Sequence, residues 1–266
     1  MKVVVVITLM DDERVLNTID SLLSQTLMPD RIFVADASRN NVLFNKIKKY
    51  DKTEVHKITG SIAESRHITM SFLDEDIIVF IDSDEVARKN WLYEITRPLF
   101  FEDADYTGGL CLPMYTPETK VERYVWMKEE QLFRDYDQLS FQMGNTAWRR
   151  HVFDRIGNFD KRIIWGGEDY DINIRATQAG FKGLYIPSAI LYHDQGMKTL
   201  SSWVRKRYKY HTGSTVALLK NSVSVSSKKR TISMGRHPLD MLDFVLKILG
   251  YIRGHRIWVN MLGEYL

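Results

Sequence analysis

The chain has 266 residues, is 44% hydrophobic and 27% charged, and carries a net charge of +3. These totals describe an ordinary soluble globular protein, one large domain or a domain with an appendage, and the small net charge implies no polyanionic partner. Its single cysteine, Cys111, excludes an internal disulfide and fits a reducing compartment, and no uncharged apolar run reaches the ~18 residues a membrane span needs.

The N-terminal apolar run is too short for a secretory signal and acids follow it at once. Residues 3–9 read as a central parallel strand buried on both faces. Asp11, Asp12 and Glu13 lead into a helix over 15–23, favoured by acids near its start and stopped by Pro29. Residues 31–36 form a second strand ending on Asp36. A helix over 42–49, a strand over 54–58 and a helix over 62–73 follow. Then Ile77-Ile78-Val79-Phe80-Ile81 runs into Asp82-Ser83-Asp84-Glu85. This β-α-β-α-β-α-β series predicts an α/β fold with a mostly parallel central sheet flanked by helices. A helix over 91–101 comes next.

The second half is less regular. A strand is expected over 106–114, where Gly108-Gly109 marks a close backbone approach, and Cys111 is expected in the core. An aromatic, charged helix covers 124–136, with Trp126, Phe133 and Tyr136 near one side. A strand covers 143–149, and a short helix over 151–156 ends at Gly157. Trp165-Gly166-Gly167-Glu168-Asp169 precedes a helix over 170–179, with Gly180 as its C′ residue. Strand pieces at 183–186 and 189–193 flank Pro187, and the serine-rich stretch 222–227 reads as a loop.

Two acidic turns carry the chemistry. In an extended chain residues i and i+2 point to the same side, so Asp82 and Asp84 can face one ligand at the carboxyl end of a buried strand. Ligands bind there in open α/β sheets, and such a pair suits a divalent cation holding a phosphate. The same residues also suit a plain polar turn. Glu168 and Asp169 fall in the first turn of a helix, where they either cap it and pair with its dipole or project a general base into a cleft. Trp165 then supplies an apolar wall that raises the acid's pKa.

In this order and spacing the motifs resemble those of glycosyltransferase family 2, with its GT-A (Rossmann-like) fold. The resemblance covers residues 1–200. It rests on Ile7-Thr8-Leu9, on Asp36-Ala37-Ser38, on Ile62-Ala63-Glu64-Ser65-Arg66 followed by Asp82-Ser83-Asp84, and on Trp165-Gly166-Gly167-Glu168-Asp169. It implies a metal-dependent, inverting, non-processive transfer of a sugar from a UDP- or GDP-sugar to a hydroxyl of a glycan or lipid-linked acceptor. By the same resemblance Asp82, Ser83 and Asp84 bind the donor, with Mn²⁺ or Mg²⁺ on Asp84 and Asp82. Asp36 reads the base, Thr8, Ser38 and Arg66 lie around the nucleotide, and Asp169, beside Glu168, is the general base. Trp148, Trp165 and Gly167 are expected on the acceptor side, along with the aromatic segment 124–148. His67 and Ala37 depart from the family's frequent asparagine and glycine. The Gln-x-x-Arg-Trp motif of processive synthases is absent. The implied division is 1–105 for the nucleotide-sugar, 106–200 for acceptor and catalysis, and 201–266 as a basic, amphipathic helical extension.

His193 is either an ordinary strand-end histidine or, in the family context, a metal ligand. The basic, aromatic stretch 203–211 admits three readings: a nucleic-acid surface, for which no accompanying fold exists; a solvated helix face with Trp203 and Tyr210 inward; or a helix closing over the diphosphate or meeting anionic headgroups. Lys228-Lys229-Arg230 adds to the basic character. Residues 239–252 either pack on the main domain or lie at a membrane interface with Arg253, His255, Arg256 and Trp258 at headgroup level. The expected location is cytoplasmic, with a peripheral contact at the cytoplasmic membrane face if the second reading holds. Two other functions compete. A sugar nucleotidyltransferase uses similar carboxylates, but no glycine-rich phosphate loop with lysine follows the first strand. A non-catalytic carbohydrate-binding or membrane-scaffold protein does not need intact acids at every motif.

Overall fold

The computed structural model describes residues 1–134, 141–222 and 237–263, with the backbone alone over 129–134. Tyr136, most of the serine-rich stretch and Lys228–Arg230 lie outside the described residues. Strands β1 (Val3–Leu9), β2 (Arg31–Asp36), β3 (Thr53–Lys57) and β4 (Ile77–Asp82) alternate with helices α1 (Val15–Leu23), α2 (Val42–Ile47) and α3 (Ile62–Thr69). The predicted helix over 62–73 ends at Thr69 and tightens into a 3₁₀ turn, Met70–Phe72. Helix α1 ends at Leu23, well before Pro29, and no acid occupies its first turn; Asp12 instead chelates Arg14. Beyond β4 come β5 (Glu85–Ala87), α4 (Trp91–Phe100), β6 (Tyr106–Pro113), α5 (Lys120–Arg134), β7 (Thr146–Arg149), α6 (Arg150–Ile156), α7 (Glu168–Gln178), β8 (Gly183–His193), α8 (Leu200–Lys220) and α9 (Pro238–Gly263).

Among the described residues the strands form one sheet in the order β3-β2-β1-β4-β7-β6-β8-β5. The first four are mutually parallel. β7 then runs antiparallel to both β4 and β6, while β8 runs parallel to β6. Sequence pattern missed β5, because three residues after a turn are too few to show a period. The two expected pieces around Pro187 are one strand. Its register slips at the Gly109/Leu110 level, a bulge that tolerates proline.

Strand β1 is buried on both faces, and its alternation divides the core. Val3, Val5, Ile7 and Leu9 pack with Val15, Ile19 and Leu22 of α1 and Trp91, Leu92, Ile95 and Leu99 of α4. Val4 and Val6 face the other layer, with Phe80, Tyr106, Trp148, Phe153 and Ile172. Helices thus cover both sides of a curled mixed sheet, as a parallel sheet requires. The C-terminal ends of β1, β2 and β4 lie in register, with Leu9 opposite Asp36 and Thr8 opposite Asp82. Connections leave this point to both sides, which makes it the switch point where such sheets bind ligands.

One expectation fails on packing. Trp148, expected to meet an acceptor, is fully buried and stacks on Tyr106 with centroids 4.4 Å apart across the β6–β7 pair. Its indole N–H is satisfied by Thr146 Oγ1 at 2.9 Å. Tyr124 is likewise a packing residue, set edge-on to Trp203 and donating its hydroxyl to Asp240. A Trp148→Ala chain should lose about 3–5 kcal/mol of stability through the cavity it leaves, measured by urea unfolding. A loss below about 1 kcal/mol would contradict this role.

Candidate active site

Strand β4 delivers Asp82 at its end, and the turn through Ser83 returns the chain as β5. Asp82 and Asp84 do not converge on one point. Asp82 turns to Arg66 of α3, whose Nη2 lies 2.9 Å from its Oδ1. The same guanidinium donates through Nη1 to Glu168 Oε1 at 2.7 Å. Arg66 is 2% exposed and Glu168 6%, so the Arg66–Glu168 arm of this bridge is little screened by water, while the Asp82 carboxylate is a third exposed. It joins the strand-end turn to the first turn of α7.

Asp84 turns the other way. Its Oδ2 is 3.3 Å from His193 Nε2 at the end of β8 and 3.7 Å from Arg14 Nη2. Burial alone would raise the Asp84 pKa, but the His193 hydrogen bond and the charges of His193, Lys206 and Arg14 outweigh it and hold the carboxyl below its ordinary range. Burial would likewise lower His193. Its bond to Asp84 and the charge of Glu85 instead push it up to about 9. Glu85, 2% exposed, lies behind the imidazole, with Oε1 3.8 Å from Nδ1, and accepts the Asp82 backbone N–H at 2.9 Å. Desolvation drives its pKa well above the carboxylate range.

Arg14, Glu85 and Lys206 therefore belong to the site although sequence motifs did not single them out. Arg14 was a cation beside three acids. Glu85 simply continued the acidic run, and Lys206 was one of several cations in 203–211. Among the described residues no three His, Cys, Asp or Glu side chains form a ready-made metal cage. Asp84 and His193 nonetheless fit as neighbouring ligands. Their 3.3 Å separation approaches the roughly 3 Å between adjacent ligands bonded at about 2.1 Å.

At the base side, Gly167 precedes α7 with φ +92°, a conformation costly for any other residue. Glu168, Asp169 and Asp171 fill the first turn. Burial, then the charge of Asp169, pushes Glu168 up to about 7 against the opposing pull of Arg66. Burial also raises Asp169, chiefly offset by its bond from the Tyr170 N–H at 2.8 Å. Asp169 is half-buried while Glu168 is enclosed and held by Arg66, which leaves Asp169 the more accessible carboxylate.

The turn is braced by the C-terminal helices. A Cβ on Gly167 would come within 2.5 Å of the Gly213 carbonyl carbon, and one on Gly213 would overlap the Gly166 carbonyl oxygen. Backbone therefore meets backbone between the turn before α7 and α8. Gly167 is sealed by this contact and cannot receive an acceptor as expected. Trp165 is half-buried, with the Arg253 guanidinium 3.9 Å above its ring, so one face is already taken.

On the nucleotide side Asp36 is fully buried. Its Oδ1 accepts the Ser38 N–H at 2.8 Å and its Oδ2 pairs with Lys57 Nζ at 2.7 Å. It shapes the Ala37–Ser38 turn rather than offering an open acceptor to a base. Ser38 Oγ in turn accepts the Asp11 N–H. Thr8 is half-buried beside Asp82. Ser83 gives its carbonyl to the Thr18 hydroxyl. His67 is occupied structurally, its Nδ1 2.7 Å from the Phe159 carbonyl.

An acid-bearing switch point facing a second acidic turn across a buried arginine is the geometry against which the relatives are read. The sequence model described as glycosyltransferase like family 2 matches residues 2–211. The chain belongs to glycosyltransferase family 2. This glycosyltransferase is 22% identical to the O-antigen chain rhamnosyltransferase RfbN of Salmonella typhimurium, over 90% of this chain and 84% of that one. It is 25% identical to polypeptide N-acetylgalactosaminyltransferase 8 of Drosophila melanogaster, over 71% of this chain and 37% of that one. A 51-residue stretch, 19% of this chain and 17% of the relative, is 37% identical to the N-acetylglucosaminyl-diphospho-decaprenol L-rhamnosyltransferase of Mycobacterium tuberculosis. Among solved structures, GalNAc-T7 with UDP, GalNAc and Mn²⁺ superposes with a TM-score of 0.59 at 18% identity, over 72% of this chain and 43% of that one. That likeness establishes the GT-A fold of the glycosyltransferase.

Replacing Arg66 with alanine leaves Glu168 buried without its cation. The variant should lose about 3–5 kcal/mol of stability, read by chemical denaturation. A variant as stable as the parent would show that the bridge is not the joint between the two turns.

Proposed function

We propose that this glycosyltransferase transfers a sugar with inversion from a nucleoside-diphosphate sugar to a hydroxyl of a glycan or lipid-linked acceptor, with Asp169 as the general base. The observation that carries the reading is the accessible Asp169 carboxylate, tied through Glu168 and Arg66 to Asp82 at the switch point. Donor and base are thereby held on one rigid joint, so that acceptor oxygen and anomeric carbon meet in fixed orientation. The acceptor O–H gives its proton to Asp169 as its oxygen attacks the anomeric carbon. The bond to the diphosphate breaks on the opposite face, and no covalent sugar–enzyme intermediate forms.

The leaving diphosphate carries the developing negative charge. Asp84 and His193 would hold a divalent cation, Mn²⁺ or Mg²⁺, with the remaining positions filled by phosphate and water. When bound, the cation supplies Lewis-acid stabilisation of the leaving group. Lys206 of α8, close enough to act on both ligands, and Arg14 add fixed positive charge on the same side. UDP and Mn²⁺ in the GalNAc-T7 structure support a nucleotide donor and a metal. The rhamnosyltransferases, one named for a diphospho-decaprenol substrate, support a saccharide or lipid-linked acceptor.

Asp169→Asn should abolish transfer while leaving donor affinity within about threefold, measured by turnover and calorimetry. Normal turnover would remove Asp169 from the base role. Release of pyrophosphate in place of nucleoside diphosphate would mark nucleotidyl transfer instead. Burial raises Asp169 above its ordinary range, so transfer should rise with pH as Asp169 ionises, the base acting only when ionised. Asp84→Asn should weaken Mn²⁺-dependent donor binding by about tenfold or more, whereas equal affinity with and without metal in the parent enzyme would overturn the metal assignment.

A further inference from the structure

Helix α9 is apolar on two opposite sides. Its inner side, through Leu246, Gly250, Gly254 and Met261, is buried. Gly250 and Gly254 bring it against α8 so closely that a Cβ on either would come within 2.5–2.7 Å of His211 or Thr212. Its outer side carries Met241, Val245, Ile248, Leu249, Ile252 and Val259, each between 45% and 71% exposed. Their spacing of three, four and seven residues draws one stripe along the helix. A helix apolar all round is ordinarily buried all round, and a continuous exposed patch of this kind marks a binding surface. Among the described residues nothing covers it.

The charges on α9 are sorted. Its two acids face inward, Asp240 to Lys128 and Tyr124 and Asp243 to Arg207 and His211. Lys247, His255 and Arg256 are exposed at the borders of the stripe, and the outer face has no carboxylate. A second copy of the chain would set these cations against one another, whereas an anionic surface complements them. Arg253 and Trp258, which the sequence allowed at headgroup level, are turned inward, onto Trp165 and beside Ile163 and Val216. The helix is not long and apolar enough to cross a membrane, and its inner side is held along α8. It can lie on a bilayer but not span one.

We propose that α9 is an interfacial docking helix, its outer stripe seated among the headgroups of an anionic phospholipid bilayer and its bordering cations on the lipid phosphates. Since Arg253 of the same helix lies on Trp165, docking holds the catalytic turn close to the bilayer. The surface stands independently of the donor and base assignments, and its test does not use turnover.

The experiment is co-sedimentation of the full chain with phosphatidylcholine vesicles, with and without phosphatidylglycerol, alongside light scattering for mass in solution. The parent protein is expected to sediment with the anionic vesicles, less with neutral ones, and less at high salt because the cation–phosphate attraction is screened. Ile248→Glu with Ile252→Glu should cut the bound fraction by about tenfold or more with an unchanged thermal melt, both side chains being at the surface. Lys247→Gln with Arg256→Gln should erase the preference for anionic lipid while retaining the weaker neutral binding. Failure of the parent to sediment with any vesicle would overturn the proposal. So would binding that the double glutamate variant retains, or a parent dimer that this variant converts to monomer without any vesicle binding.

Discussion

Arg66 is the cation that joins the two acidic turns of the site. Asp82, Glu168 and Asp169 come from two distant stretches of chain, and burial makes their mutual repulsion strong. A guanidinium can offer parallel donors to two carboxylates in a fixed fork, which an ammonium cannot. Arg66 spends one arm on each turn and lies 6.0 Å from the Phe80 ring. The donor end of β4 and the start of α7 therefore take their relative position from a single side chain on α3. A buried ion pair is weak evidence for stability in itself; here its value is geometric, because it fixes how the two acidic turns sit relative to each other.

A second constraint acts on the backbone. The catalytic turn is seated on α8 at Gly213, α8 is seated on α9 at Gly250 and Gly254, and Arg253 returns from α9 to Trp165. Lys220 locks the far end of α8 to Asp160 and Asp171, so the start of α7 is held to α8 at two points. The C-terminal helices are thus structural parts of the base side as well as a possible outer surface for a partner. The two roles share one helix: the inner side of α9 supports the turn, and its outer side is left to make contacts.

What the sequence disclosed depended on the range of the interaction that decided each feature. The apolar runs of β1, β2 and β4 are local patterns, and the strands stand where those runs predict. Gly180 ends α7 with a positive φ, as a C′ glycine should. The acidic turns were legible because both follow or precede apolar elements at fixed spacing. Long-range partners were not legible. Trp148 looks like a sugar-stacking residue until the β6–β7 pairing puts Tyr106 against it. Gly167 looks like a flexible loop glycine until Gly213 arrives from another helix. Asp36 reads as an open acid because nothing nearby in sequence announces Lys57 on the adjacent strand. Asp82 and Asp84 obey the alternation rule only until the chain turns at Ser83, and their different partners then pull them apart.

The seating of residues 165–169 on Gly213 and under Arg253 also sets an order in time. Domains form from the N-terminus as the chain emerges, and the strands β1, β2 and β4 that end at the switch point are all made before residue 83. The base-bearing turn is made next, yet its seat follows by some forty residues and its stacking cation later still. A nascent chain therefore holds the strand-end turn at Asp82 before it holds a seated second acidic turn. The turn at residues 165–169 is therefore seated only after α8 and α9 have been made.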